Sequence, residues 1–148
     1  MTFHYKYQRI LDVKEMEQKA VQTEVSQVKQ SIEQSEQEKL KWLHHLNELE
    51  EKKLLEQQQG IRVADLKNYM YIEDYVGEQI QSSERAQFFL NQKMSKVERQ
   101  LMETSIEQKK WDRLKETAKT TFLHEATKLE QKVADETSTL RYAQPIPR

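Results

Sequence analysis

The stretch GIRVADLKNYMYIEDYVG, residues 60–77, decides how this chain folds. Its first and last residues are the only two glycines among 148 residues, and both prolines lie in the last four positions. Glycine reaches left-handed backbone angles without a Cβ clash, so it lets a helix stop and the chain reverse. The sequence on either side is rich in residues that favour helix, chiefly Glu, Gln, Lys and Leu. The pattern therefore predicts two long helices that are joined by a short helical tip.

The composition favours an elongated domain over a globular one. Charged residues make up 33% of the chain, hydrophobic residues 36%, and the mean hydropathy is -0.99. Such a chain cannot build a thick core, but its helices can share a narrow apolar seam. The predicted fold is all-α, a long antiparallel two-helix coiled-coil hairpin that forms one domain over residues 1–148. Its parts are a first arm at about 3–58, a tip at 59–77, a second arm at about 78–140 and a loose tail at 141–148.

Apolar residues recur at alternating spacings of three and four, which is the seam pattern of a two-stranded coiled coil. In the first arm the seam comprises Val21, Val25, Val28, Ile32, Trp42, Leu46 and Leu49, with polar Ser35 and Lys39 between them. In the second half it comprises Leu66, Tyr69, Ile72, Val76, Ile80, Leu90, Met94, Val97, Leu101, Trp111, Leu114, Ala118, Phe122, Leu129 and Val133 and runs towards Leu140, with polar Thr104 and Gln108 between them. Arms of similar length predict that Leu46 lies opposite Leu90 and that Trp42 lies opposite Met94. Thr2 is the predicted cap of the first helix.

Several classes of function lack the residues that they need. There is no cysteine, no apolar run of the ~18 residues that span a membrane, and no glycine-rich phosphate loop. His44 and His45 are adjacent and point about 100° apart on a helix, which is wrong for joint metal ligation. No basic stripe with interleaved aromatic residues indicates nucleic-acid binding. We expect a cytoplasmic protein that is not an enzyme and has no cofactor, no metal, no nucleic-acid partner and no membrane insertion.

Two features indicate protein partners, although each has a structural alternative. Residues 30–80 hold 11 acidic and 6 basic side chains, a net charge of -5, and the rest hold 14 and 18, a net charge of +4. This asymmetry is typical of a dipolar molecule that orients between two partners, or of solvated helix faces. Tyr69, Tyr71 and Tyr75 cannot all face inward on one short helix, so they form a partner surface or pack locally at the tip.

Two motifs resemble the FliJ family, small coiled-coil components of the bacterial flagellar type III export apparatus. The first is FHYKYQRILDVKE at residues 3–15, and the second is the run from Gly60-Ile61 through Tyr69 and Ile72 to Ile80. The resemblance implies an antiparallel coiled coil like the central stalk of rotary ATPases. It further implies that the paired chain ends enter the hexameric ring of the export ATPase and promote its assembly and hydrolysis. The other implied partners are the cytoplasmic part of the export gate, at the inner face of the cell membrane, and export chaperones.

The resemblance also implies where the two main partners bind. We expect the ATPase ring to contact the two chain ends, at Phe3, Tyr7, Ile10 and Leu11 and at the facing Phe122, Leu129 and Val133. We expect the export gate to contact both arms near the tip, at Glu38, Trp42, His45, Leu49, Tyr69, Ile72, Val76, Gln79 and Ser83. Trp42 and Leu49 are also seam residues, and one side chain cannot fully serve both roles.

Two other functions fit parts of the pattern. A generic coiled-coil scaffold or tether predicts parallel self-association and gives Gly60 no role. The stalk of a virulence-type secretion system would use the same mechanism in a different machine. An enzyme is the third class, and a two-helix fold offers it almost no concave interior.

Overall fold

The computed structural model describes residues 2–143, which form two α-helices and, within that range, no strand. Helix α1 spans Gln8–Gln59 and helix α2 spans Val63–Ala143. The two helices pack against each other, which confirms the predicted all-α helical hairpin.

The chain reverses at Gly60, within a three-residue connection at 60–62. Gly60 has a φ of 93°, the left-handed conformation that glycine adopts without strain. Its N–H donates to the Gln57 carbonyl at 3.4 Å, and α2 then begins with the Leu66 N–H donating to the Arg62 carbonyl at 3.0 Å. The Arg62 guanidinium also pairs with Asp65 at 3.1 Å. A single tight connection therefore joins the helices.

The separate tip that we predicted over residues 59–77 is not found, because α2 runs without a break through Gly77. A glycine inside a helix costs only about 1 kcal/mol relative to alanine. Val76, the residue before it, is the most deeply buried side chain of the core at 1% exposure. Packing of this kind outweighs the glycine penalty, so the helix continues.

The start of α1 also differs from the prediction. Thr2 is not its cap, since the helix begins only at Gln8. The Tyr5 carbonyl accepts the Gln8 N–H at 3.2 Å, and the Tyr7 carbonyl accepts the Leu11 N–H at 3.2 Å. Backbone carbonyls of the non-helical residues 2–7, rather than a side chain, therefore accept the first N–H groups of the helix.

The seam of α1 is confirmed, and that of α2 is confirmed as far as Phe122 with two exceptions. Beyond Phe122 the predicted stripe was wrong as a seam, because Leu129, Val133 and Leu140 are exposed. The buried apolar side chains are Leu11, Val25, Val28, Val76 and Val97, and most other seam residues are half-buried. Ile72 and Leu114 are exposed, although we assigned both to the seam. The next residues along the chain, Glu73 and Lys115, occupy the seam positions instead and are half-buried. The seam positions of α2 keep their alternating spacing of three and four residues when Glu73 and Lys115 are included. A search for apolar residues alone misses these two positions because they are polar.

Two ion pairs between the helices fix the register and show that our predicted pairings were wrong. Lys39 contacts Glu84 at 3.2 Å, and Lys53 contacts Glu73 at 3.2 Å. Trp42 is three residues nearer the turn than Lys39, so its level on α2 is near residue 81 and not Met94. Leu46 is seven residues nearer the turn than Lys39, so its level on α2 is near residue 77 and not Leu90. The prediction assumed arms of equal length, whereas the tight turn at Gly60 leaves α2 much longer than α1.

The residues group into two compact units, of which the second, Lys19–Met102, contains the turn. The first unit comprises Met1–Gln18 and Glu103–Arg148. Within it, the N-terminal segment packs on α2 as far as Phe122. Every later described residue of α2 except Ala126 is exposed up to Ala143. The predicted loose tail begins inside this helix, and Pro145 and Pro147 lie outside the described residues; the single-domain organisation stays a prediction.

Candidate interaction surfaces

Three grooves near the turn lie on both helices of the second unit, and we call them together the tip surface. The first, of about 350 Å³, is lined by Glu38, Lys41, Trp42 and His45. The second, of about 450 Å³, is lined by Leu49, Lys52, Glu56, Asp65, Asn68, Tyr69 and Ile72. The third, of about 630 Å³, is lined by Tyr71, Ile72, Asp74, Tyr75 and Glu78. All three are open to solvent.

The aromatic ring of Trp42 connects the two helices of the tip surface. Its centroid lies 6.0 Å from that of Tyr75 on α2 and 6.3 Å from that of His45 on α1, and both contacts are edge-to-face. This is a favourable geometry for aromatic pairs, since the positive ring edge meets the negative ring face. Trp42 is half-buried, so it packs in the seam and also lines a groove. Trp42 therefore divides its surface between the seam and a groove, and its contact with the export gate stays a prediction.

The predicted gate residues separate by burial. The tip surface contains Glu38, Trp42, His45, Leu49, Tyr69 and Ile72. Gln79 is half-buried, whereas Val76 and Ser83 are buried in the seam. A partner that docks on this surface can touch the first six directly. Val76 and Ser83 would act on it only by holding the helices together.

The tip surface is acidic. Its grooves are lined by Glu38, Glu56, Asp65, Asp74 and Glu78, against the cationic Lys41 and Lys52. The charge acts on Tyr69, whose pKa is raised above its ordinary value first by burial, and then by a hydrogen bond to Glu56 and the charges of Glu56 and Asp65. Tyr69 therefore stays a neutral hydrogen-bonding phenol at physiological pH.

A second surface lies in the first unit, where the N-terminal segment meets α2. The Phe3 ring lies 5.4 Å from that of Phe122, as we expected for these two facing residues. The Tyr7 ring lies 6.1 Å from that of Trp111, and the Lys6 ammonium lies 5.7 Å from the centre of the Tyr7 ring. Ile10 and Tyr7 are exposed, while Leu11 is buried in the seam.

The other two predicted ring-binding residues lie further along α2. Leu129 is 54% exposed and Val133 is 59% exposed. At 1.5 Å rise per residue they lie roughly 10 and 16 Å beyond Phe122, past the point where Phe3 meets the helix. We call residues 123–143 the α2 extension. Its exposed apolar side chains also include Leu140, towards which the predicted stripe ran, and Leu123 and Tyr142, which the sequence reasoning missed.

A third exposed patch was also missed. Phe88 and Phe89 are both exposed on α2, with ring centroids 5.9 Å apart. With Gln81, Glu84 and Arg85 they line a groove of about 370 Å³. The sequence could have predicted this exposure, since both phenylalanines lie outside the seam positions, which recur at alternating spacings of three and four residues.

Two further tests bear on function. Among the described residues, no three His, Cys, Asp or Glu side chains come together as a set of metal ligands. Neither helix, over the same range, has an apolar stretch long enough to cross a bilayer.

Comparison with known protein families gives a match over nearly the whole chain. The sequence model of the family described as "Flagellar FliJ protein" matches residues 3–146, nearly the whole chain. No curated protein and no solved structure matched the chain.

Proposed function

The chain belongs to the FliJ family, whose members are coiled-coil components of the flagellar export apparatus, and on this premise we propose that it acts as a non-catalytic stalk. In that role it promotes assembly and hydrolysis of the export ATPase ring and couples the ring to the cytoplasmic part of the export gate. It would then work at the inner face of the cell membrane. We also expect export chaperones to bind it, as the resemblance implies, and assign no residue to them.

The observation that carries the proposal is the α2 extension. Within residues 2–143 no other helix covers its apolar side chains, yet Leu129, Val133 and Leu140 recur at spacings of four and seven, along one side of the helix. A monomeric protein rarely leaves such a stripe open unless another protein covers it. A single long helix is narrow enough, at about 10–12 Å across, to enter the central opening of a ring.

A helix inside a ring also provides a way to change hydrolysis without catalysis. One asymmetric helix cannot make the same contacts with six identical subunits. Unequal contacts favour some subunit conformations over others, and a partner shifts an equilibrium by as much as its affinities for the states differ. Phe3, Tyr7 and Ile10 would widen this contact where the N-terminal segment joins α2.

The tip surface is the part that we assign to the export gate. Its aromatic side chains, Trp42, Tyr69, Tyr71 and Tyr75, are the type that anchors protein interfaces. The acidic side chains around them would select the partner and its orientation.

The experiment that tests the proposal is a double substitution on the α2 extension, Leu129→Asp with Val133→Asp. The hydrolysis rate and ring assembly of purified export ATPase would be measured with the full chain and with the variant. We expect the variant to lose stimulation by about tenfold or more, since buried apolar anchors are typically worth over 1 kcal/mol each. Both positions are solvent-exposed, so the helical content should not change.

The matched control is Phe88→Asp with Phe89→Asp, which places the same charges on an exposed apolar pair elsewhere on α2. It should retain stimulation. Equal loss in both variants would refute the assignment to the α2 extension, and a wild-type chain that neither binds nor stimulates the ATPase would refute the proposed function itself.

A further inference from the structure

A cationic groove lies beside the aromatic contact between Phe3 and Phe122. It has a volume of about 460 Å³ and forms between the N-terminal segment and α2. Its lining includes His4, Tyr5, Gln8, Lys115 and Lys119, and no carboxylate. The two lysines are four residues apart, so they lie on the same side of the helix.

Neither lysine is neutralised by the described part of the chain. No ion pair within 4.0 Å joins Lys115 or Lys119 to a carboxylate among residues 2–143, although Asp112 and Glu116 lie three residues before Lys115 and Lys119. Among the described residues, the Asp12 carboxylate accepts a hydrogen bond from the side chain of the lining residue Gln8 at 2.9 Å. The lining of the groove itself therefore carries two positively charged side chains and no negatively charged one.

The groove also contains lysine side chains that an anion can contact. Lys115 is half-buried and Lys119 is exposed. Tyr5 is half-buried as well, and its buried hydroxyl has no hydrogen-bond partner among the described residues. Charge-assisted hydrogen bonds from such groups are stronger than those between neutral groups.

We propose that this groove binds an acidic side chain of a protein partner, with Lys115 and Lys119 as the groups that hold its carboxylate. The inference rests on the proposed function, because the groove lies in the unit that we assign to the ATPase ring. It names a contact that the apolar stripe does not include: an Asp or Glu of the ring, which would fix the rotational position of the helix. Apolar contacts along the α2 extension would supply affinity, and the carboxylate would supply orientation.

The test compares two charge reversals of equal size in the full chain. The first is Lys115→Glu with Lys119→Glu, and the control is Lys109→Glu with Lys110→Glu, on the same helix but outside the groove. Affinity for the purified export ATPase would be measured at low and at high salt. We expect the groove variant to bind about tenfold or more weakly at low salt and the control to stay within about threefold of the wild type. The salt dependence of the groove variant should be shallower, since it has lost the attraction that salt screens.

A second measurement does not need the ATPase. The full chain would be titrated with an Asp-rich peptide and, separately, with inorganic phosphate, while NMR follows the lysine Cε resonances. Peptide-dependent shifts at Lys115 and Lys119 support the groove, and their loss in Lys115→Gln with Lys119→Gln confirms its location. Absence of these shifts, or a response to phosphate that exceeds the response to the peptide, overturns the carboxylate site.

The outcomes also separate this inference from the proposed function. If the wild type stimulates the ATPase and the two charge reversals bind equally, the groove is refuted while the proposed function stands. If the wild type does not bind the ATPase but the peptide shifts the lysine resonances, the proposed function fails and the carboxylate site remains.

Discussion

Single side chains near the turn have separate structural and interaction roles. Val76 is 1% exposed and Ile72, four residues before it, is 42% exposed. Both belong to the surface that the sequence assigned to the export gate, but only Ile72 can touch a partner. Burial therefore divides the set into side chains that bind and side chains that hold the surface in place.

We expect this division to appear when stability and binding are measured on the same variants. Val76→Ala should lower the free energy of unfolding by about 2 kcal/mol, because it removes buried methyl groups and leaves a cavity. Ile72→Asp should change stability little and should weaken binding to the cytoplasmic part of the export gate by about tenfold. Urea unfolding followed by circular dichroism measures the first effect, and calorimetric titration measures the second.

The control for the stability measurement is Val63→Ala, the same substitution at a residue that is 70% exposed. It should stay within about 0.5 kcal/mol of the wild type. Equal stability losses at positions 63 and 76 would contradict the burial that separates them.

At the level of helices, the two glycines have opposite roles, and alanine substitution should reveal this. Gly60 has a φ of 93°, whereas Gly77 lies inside α2, and an added Cβ meets no atom within 4 Å at either position. Only backbone conformation therefore distinguishes the two sites. Gly60→Ala should lower the free energy of unfolding by about 1–2 kcal/mol, because a Cβ disfavours the left-handed region. Gly77→Ala should raise it by about 1 kcal/mol through better helix propensity.

Thermal and urea unfolding of the two variants provide the measurement, and each variant is the control for the other. Should Gly77→Ala destabilise the chain, a break or bend at that residue would be indicated, and the continuous α2 helix would be wrong.

The sequence predicted the seam better than the helix boundaries, for a physical reason. Spacing alone identifies which face of a helix is buried, so Val25, Val28 and Val97 were correctly placed in the core. Register depends on where the chain turns, and the sequence offered two glycines for that. The assumption of equal arms favoured a long tip, whereas a helix tolerates Gly77 at small cost.

The candidate surfaces could also be predicted from the sequence only in part. Phe3 and Phe122 could be paired because both lie near the chain ends, and the structure brings their rings together. The groove around Lys115 and Lys119 could not be predicted, because it depends on a non-helical N-terminal segment and on a register that spacing does not determine. Assignment of the surfaces to particular partners stays a prediction.

At the level of the whole molecule, chain reversal within one polypeptide distinguishes a stalk from a parallel two-chain tether. The tether gave Gly60 no role, but here Gly60 lies in the turn, and α1 and α2 of one chain pack together. In the first unit this pairing brings the Gln18 side-chain amide to 3.1 Å from the Ser105 hydroxyl, across 87 residues of sequence. The chain contains no cysteine, so two introduced cysteines would be the only reactive thiols.

We therefore expect Gln18→Cys with Ser105→Cys to crosslink within one chain when treated with a short bismaleimide. The product should migrate as a monomer of 17.8 kDa with altered mobility, independent of protein concentration. Closing a loop of this length should raise the free energy of unfolding by about 4 kcal/mol, because it restricts the unfolded chain. The control, Gln18→Cys with Tyr142→Cys, separates the thiols by roughly 55 Å along α2, so it should not crosslink within a chain. A parallel tether would instead give dimers of twice the mass whose yield rises with concentration, and that result would refute both the hairpin and the stalk built on it.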